Sequence, residues 1–250
     1  MIDLHSHILH GIDDGARTLE DSLEIARAAV SDGITVIAGT PHVRDDWPTD
    51  PAMMEDRLAE LRAELQPAGI PLDVRGGGEI AIEWLTLPLE ELRRFGLGGN
   101  PRYLLVETPY YGWPLDVEHR LFNLRALGIT PVLAHPERNP EVQQDPERVV
   151  SLVRAGTLVQ ITAASLDGRA GRRAQAMGLQ LIEQGLAHVV ASDAHAPAIR
   201  QGGLDGVAEA VGDAELARWL TLDVPTAIVD GTALPPRPER PVRKKRFGLF

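Results

Sequence analysis

Five histidines, and four carboxylates that could join them as ligands, fall into short runs: DLHSH at 3–7, DDG at 13–15, TPH at 40–42, GGGEI at 76–80, VETP at 106–109, AHPER at 134–138 and ASDAH at 191–195. Each run mixes side chains that bind cations with small residues, and nearly every run comes after an apolar, strand-like stretch. Imidazole and carboxylate together suit first-row divalent cations. His5 and His7 lie two apart, so on a strand both point to the same side and one cation can take both. His42, His135 and His195 each end an apolar stretch after small residues; alone, any of them reads as a satisfied buried histidine. Asp14 sits between Asp13 and Gly15, where an Asp could serve the turn alone. Glu107 comes after the apolar run YLLV, and a carboxylate in such a place needs a cation or a proton. Glu79 is similar and could bridge two cations, while Asp193 completes the set. The chemistry this implies is metal-assisted hydrolysis at a multinuclear site.

The elements that must position these residues alternate. Residues 1–4, ITVIAGT (34–40), PLDVRGG (71–77), RYLLVE (102–107), TPVLAH (130–135), GTLVQIT (156–162) and AHVVAS (187–192) read as strands. Helical patterns lie at about 115–127, 146–155, 169–185 and 203–220. Thr18 with Asp21 marks an N-cap and approximates a capping box, and that helix ends near Gly33. Asp50-Pro51 and Asp145-Pro146 open two more helices with proline at the first helical position. Apolar strands alternating with helices imply parallel pairing. The candidate ligands sit at or just past the C-terminal ends of six of the seven strands. Converging so many strand ends on one point is natural in a barrel and awkward in an open doubly wound sheet. The predicted fold class is therefore α/β, a distorted (β/α)7 TIM-like barrel over residues 1–234. Gly76 to Gly78 lack the Lys-Ser/Thr of a phosphate loop and are read as letting the chain turn sharply before Glu79. His10, His119 and His188 are assigned no role; His188 stands at the beginning of a strand, the wrong end of a barrel.

Composition narrows the partners. A net charge of −11 argues against a nucleic-acid surface. The chain has no cysteine, which removes thiolate zinc sites and cysteine nucleophiles and fits a reducing compartment. No signal peptide or membrane-spanning run is evident. The end differs: from Pro235, six basic residues (Arg237, Arg240, Arg243, Lys244, Lys245, Arg246) oppose Glu239 in a proline-rich segment. Residues 235–250 read as a basic flexible tail, either an idle solvated terminus or a tether to an anionic membrane face or partner, with Phe247, Leu249 and Phe250 as apolar anchors.

In order and spacing, IDLHSHILHGIDDGA, TPH, GGGEI, VET, ITPVLAHPER and HVVASDAH resemble the PHP superfamily, and within it the bacterial tyrosine-protein phosphatases of capsule and exopolysaccharide synthesis, CpsB-like, across residues 1 to about 225. The resemblance implies a distorted seven-stranded barrel (PHP domain) with three divalent metal ions. His5, His7, Glu79 and Asp193 would hold one, Glu79, Glu107 and His135 the second, and Asp14, His42 and His195 the third, with Asp3 orienting the histidine pair from behind. The family favours manganese (Mn), and these donors also accept Fe, Co or Zn. Three such cations against four carboxylates leave a site of about +2 net charge, suited to a phosphate dianion. A metal-bound hydroxide is the expected nucleophile, attacking in line and displacing the phenolate of phosphotyrosine. Arg138 and Arg200 are candidates for clamping the equatorial oxygens, with Arg44 as a third; surface salt-bridging is their alternative.

The leading expectation is thus a protein-tyrosine phosphatase, a hydrolase acting on a membrane-associated bacterial tyrosine kinase from the cytoplasmic side, at the inner face of the membrane. A homo-oligomer is compatible with it. The rivals are a small-molecule phosphomonoesterase such as a histidinol-phosphate phosphatase, and a catalytically idle PHP scaffold. Glu107, where many relatives have histidine, tilts against the first. The full donor set argues against the second, because idle clustered carboxylates repel one another.

Overall fold

In the computed structural model, residues 1–196 and 203–239 are described. The strands are β1 (Ile2–Ser6), β2 (Val36–Gly39), β3 (His42–Arg44), β4 (Trp47–Pro48), β5 (Asp73–Gly76), β6 (Glu79–Ala81), β7 (Tyr103–Glu107), β8 (Thr130–Ala134), β9 (Leu158–Thr162) and β10 (Val189–Ala191). One parallel sheet has the order β1-β2-β5, and a second runs β10-β9-β8-β7-β6-β3-β4, with only β4 antiparallel. The two join into a ring. β2 continues into β3 through Thr40-Pro41, and β5 continues into β6 through Gly77-Gly78. On the other side Ser6 bridges Ala194 in parallel, Asp193 N–H donates to the His5 carbonyl at 2.9 Å, and His7 N–H donates to the Ala194 carbonyl at 2.9 Å. The result is the distorted parallel barrel expected, with each of the seven expected strands present.

Both faces of most strands are covered, which is why they read as continuous apolar runs rather than alternating ones. Leu104, Val106, Leu133, Val159, Ile161 and Val190 are all buried. The helix Leu19–Ser31 starts where expected: Thr18 Oγ1 accepts from Asp21 N–H at 3.2 Å, and Asp21 accepts from Thr18 N–H at 2.9 Å. Asp50 caps Pro51–Leu65 by accepting from Met53 N–H at 2.8 Å.

Two expectations need correction. The helix placed at 203–220 is a series of short pieces, Val207–Val211, Ala214–Arg218, a π-helical turn Trp219–Asp223, and Val224–Asp230. Gly212 ends the first in the left-handed region (φ 68°), and Asp213 caps the next. The glycines at 76–78 do not make a sharp turn, and none has a positive φ. They are small because neighbours approach closely: a Cβ on Gly78 would stand 2.7 Å from the buried Phe95 ring, and one on Gly77 3.0 Å from Thr40 Cγ2. Of the basic tail, Pro235–Glu239 are described. Over this stretch Arg237 lies against the barrel, donating to the carbonyls of Ala187 (2.9 Å) and Ile182 (2.7 Å).

Candidate metal centre

The donors gather at one mouth of the barrel, most of them at or just past the C-terminal ends of β1, β2, β5, β7, β8 and β10. β1 carries His5, with His7 just beyond it; β3 opens with His42, β6 with Glu79, and β7 closes with Glu107. His135 lies just past β8, and Asp193 and His195 just past β10. His135 (φ 33°) and Asp193 (φ 54°) are the only non-glycine residues with positive φ among the described residues. Such backbone is costly for a histidine and persists only where surroundings impose it. Here the chain bends sharply enough at the strand end to aim both side chains inward.

The distances suit cations. His5 Nε2 and His7 Nε2 are 3.3 Å apart; each lies 3.3–3.4 Å from Glu79 Oε2 and 3.4 Å from Asp193 Oδ1. Donors spaced around a tetrahedral cation at bond lengths of roughly 2.0–2.1 Å stand about 3.3–3.4 Å apart. A second group forms around the other oxygen of Glu79: His135 Nε2 is 2.8 Å from Oε1 and 3.9 Å from Glu107 Oε1. Glu107 also groups with His42 and Glu79. In a third group, Asp14 Oδ1 lies 3.5 Å from His42 Nε2 and 3.4 Å from His195 Nε2, with His7 close enough to share it. The donor atoms thus fall into four overlapping groups, His5-His7-Asp193, His5-Glu79-His135, His42-Glu79-Glu107 and His7-Asp14-His42-His195; His135 and Glu107, paired by the resemblance, stand in different groups that share Glu79.

Bonding and charge test whether cations fit. Glu79 Oε2, His42 Nδ1 and Glu107 Oε1 are buried without a hydrogen-bond partner, although the first two are only 2.9 Å apart. Unsatisfied donor atoms in a buried cluster are costly unless something binds them. Without cations, protons must do that. Burial alone would raise Glu79, but the charge of His5 and the hydrogen bond with His135 outweigh it and hold its carboxyl well below the ordinary range. Burial opposes protonation of His135, yet the bond to Glu79 prevails and raises it to about 9. Burial, then the charge of Glu79, pushes Glu107 up. The hydrogen bond with His195 draws Asp14 down to about 2. The donor types, their spacing and their unpartnered buried atoms fit divalent cations.

Two residues that sequence reasoning missed hold the histidine rings. Asp13 Oδ2 lies 2.7 Å from His7 Nδ1, while its Oδ1 accepts from Gly15 N–H at 2.9 Å. Gln160 Oε1 lies 3.0 Å from His5 Nδ1. Each leaves Nε2 free to face the site. The DDG run carries a signal for Asp13, because two adjacent aspartates can divide the turn and the ligand roles between them; Gln160, in the middle of β9, carries none. Asp3 accepts from the backbone N–H groups of His5 (3.3 Å) and Ser192 (3.0 Å), so it ties the ligand-bearing ends of β1 and β10 together. Arg138 donates to Asp193 Oδ2 at 2.6 Å and lies over the Tyr110 ring at 5.5 Å. Arg44 clasps Asp46 through two nitrogens and reaches Glu107 at 3.4 Å. Arg200 lies outside the described residues. His10, His119 and His188 make contacts away from the donor groups, with Glu60, Asn123 and Val159 respectively.

Fold and donor set together define an α/β barrel with several candidate metal-binding clusters at its mouth. The chain belongs to the CpsB/CapC family of capsular polysaccharide synthesis, whose model matches residues 1–227. It is 36% identical to the tyrosine-protein phosphatase YwqE of Bacillus subtilis, over the whole length of both. It is 30% identical to the tyrosine-protein phosphatase CpsB of Streptococcus agalactiae, covering 78% of this chain and 83% of that one. A crystal structure from work on B. subtilis YwqE and Streptococcus pneumoniae CpsB, described as unique metal-dependent tyrosine phosphatases, matches with a TM-score of 0.85 and 35% identity, over 96% of this chain and all of that one. An amidohydrolase from Mycoplasma synoviae shares the fold alone, at a TM-score of 0.59 and 13% identity over 92% and 87% of the two chains.

Proposed function

We propose that this chain is a metal-dependent phosphatase that hydrolyses phosphotyrosine on proteins. The observation that carries the reading is the convergence of nine imidazole and carboxylate donors at one barrel mouth, in the motif order of a family whose named relatives are tyrosine phosphatases. His5, His7, Asp14, His42, Glu79, Glu107, His135, Asp193 and His195 would hold the cations, for which manganese is the proposed identity. When bound, such ions lower the pKa of water and offset the charge of a phosphoryl group. The chain itself supplies the rest. Asp13 and Gln160 fix the imidazoles, and Glu79 joins the donor groups through its two oxygens. Arg138, with one nitrogen on Asp193, has further N–H groups to offer phosphoryl oxygens at the mouth.

The mouth is bordered by a segment carrying Tyr110, Tyr111 and Leu115, which are 45%, 84% and 105% exposed. An open rim with large apolar side chains suits a polypeptide better than a small metabolite. The proposed partner is a bacterial tyrosine kinase of polysaccharide export, met at the cytoplasmic face of the membrane. Among the described residues, no helix is long and apolar enough to cross a membrane. Turnover of a phosphotyrosine peptide and of histidinol phosphate, measured side by side with and without Mn²⁺, tests the reading. Manganese-dependent preference for the peptide is expected; preference for histidinol phosphate would return the chain to the small-molecule class.

A further inference from the structure

Beside the donor groups lies a cavity of about 220 Å³, lined mostly by residues to which the phosphatase chemistry gives no role. It opens between the β3–β4 hairpin, the 3-10 turn Ile82–Thr86 that comes after β6, and the segment after β7. Its apolar walls come from Trp84, Pro109 and Tyr110. Glu107 and Arg44 line it too, so it is continuous with the metal centre.

The charge of its walls is uneven. Arg44 is consumed by Asp46, bound through Nε at 2.6 Å and a terminal nitrogen at 2.8 Å. Asp45 and Glu83 are exposed and have no cationic partner among the described residues. Asp45 instead accepts from the Trp84 indole N–H at 2.8 Å, which stands the indole up as a wall of the cavity. Aromatic faces with unpaired carboxylates at the rim suit one kind of occupant: a long alkyl stem ending in a cation.

We propose that this cavity binds a lysine or arginine side chain close in sequence to the phosphotyrosine of the substrate polypeptide. The inference rests on the phosphatase reading. A phosphotyrosine held at the donor groups places its neighbouring residues beside Glu107, where the cavity begins. The alkyl stem then lies on Trp84 and Tyr110, and the cation faces Asp45 and Glu83. An acidic neighbour would meet two uncompensated carboxylates, so the cavity selects against it as well as for the base.

The test uses the full-length protein with Mn²⁺, and phosphotyrosine peptides carrying Lys, Ala or Glu at each of the two positions on either side. At one position the Lys peptide should exceed the Glu peptide about 10-fold in kcat/KM, chiefly through KM. Glu83→Lys, a change at an exposed residue, should abolish or invert that order. Turnover of p-nitrophenyl phosphate, which has no flanking residue, should be equal in the two proteins. Absence of a Lys preference at every position, or a preference that survives Glu83→Lys, would overturn the inference while leaving the phosphatase reading intact. Failure to turn over any aryl phosphate would overturn both.

Discussion

The mouth and the base of this barrel are built on opposite terms. At the mouth, buried donor atoms go unbonded, two non-glycine residues take left-handed backbone, and carboxylates crowd together. At the base, polar groups are paired. Arg237 gives hydrogen bonds to two carbonyls and covers the Trp219 ring at 5.3 Å, while Trp219 donates to the Pro235 carbonyl at 3.1 Å. His188 Nδ1 accepts from Val159 N–H at 3.2 Å. The same parallel strands carry both ends, so the difference lies in the residues at the strand ends and in the connecting loops rather than in the strands themselves. Function is concentrated where local rules are broken, and stability where they are kept.

The comparison breaks most visibly on chelation. Removing divalent cations takes away the ions the mouth is built to hold, a loss of several kcal/mol at the transition state, or on the order of 10³-fold in rate or more. The apolar core does not depend on them. Circular dichroism should therefore keep its native shape while phosphatase activity disappears. Full activity in metal-free protein would refute the proposed chemistry, and loss of the fold would show that the mouth also carries stability.

Next in size is Arg138→Ala. In the proposed role Arg138 is one preorganised donor to the phosphoryl group, and its loss should lower turnover on the order of 10²-fold. Metal content should hold, because Asp193 faces the histidines with Oδ1 and Arg138 with Oδ2. Retained metal with reduced kcat fits a residue that touches substrate. Depleted metal would recast Arg138 as a residue that positions Asp193.

The same contrast governs how legible each region is in the sequence. The mouth is readable because chemistry restricts it to a few residue types at strand ends: His5, Glu79 and Asp193 announce themselves. Its supports are less so. Asp13 is signalled only by the doubled aspartate of its turn, and Gln160 looks like any polar residue in a strand, because its role depends on His5, 155 positions away. The base is nearly silent. Arg237 belongs to a run whose composition says solvated tail, yet its guanidinium finds the carbonyl of Ile182, in the last turn of the helix Arg172–Glu183, and that of Ala187 beyond it. The fragmented helices after 203 are similarly masked, since Gly212 and Asp213 interrupt a pattern that otherwise keeps a helical period.

A smaller effect should appear at the base alone. Burial, then the nearby Arg237 charge, lowers His188 to about 4 from an ordinary value of 6.5. Above pH 6.5 the ring is neutral in both folded and unfolded chains, and its contribution is constant. As pH falls from 6.5 toward 4, the unfolded chain binds a proton that the folded one resists, so stability declines across that window. Allowing for partial exposure of the ring, the loss between pH 7 and pH 5 is about 1–2 kcal/mol. His188→Gln keeps an acceptor for Val159 N–H without titrating, and denaturant melts should show a correspondingly shallower acid decline. An identical decline in both proteins would place the acid sensitivity elsewhere.

The smallest effect on catalysis belongs to the tail. Its root, Arg237, is fixed to the end of the barrel opposite the donors. Deleting 240–250 removes Arg240, Arg243, Lys244, Lys245 and Arg246 but spares that root. Turnover of a short soluble phosphopeptide should be unchanged. Binding to anionic vesicles should weaken, because each basic residue near such a surface contributes about 1 kcal/mol. Salt screens the attraction, so the difference should be largest at low ionic strength. Deleting 235–250 instead also strips the cover from Trp219 and three hydrogen bonds from the base, and should lower the melting temperature where the shorter deletion does not. Equal vesicle binding by the full-length chain and the 240–250 deletion would exclude the membrane role and leave Arg237 as a structural clasp.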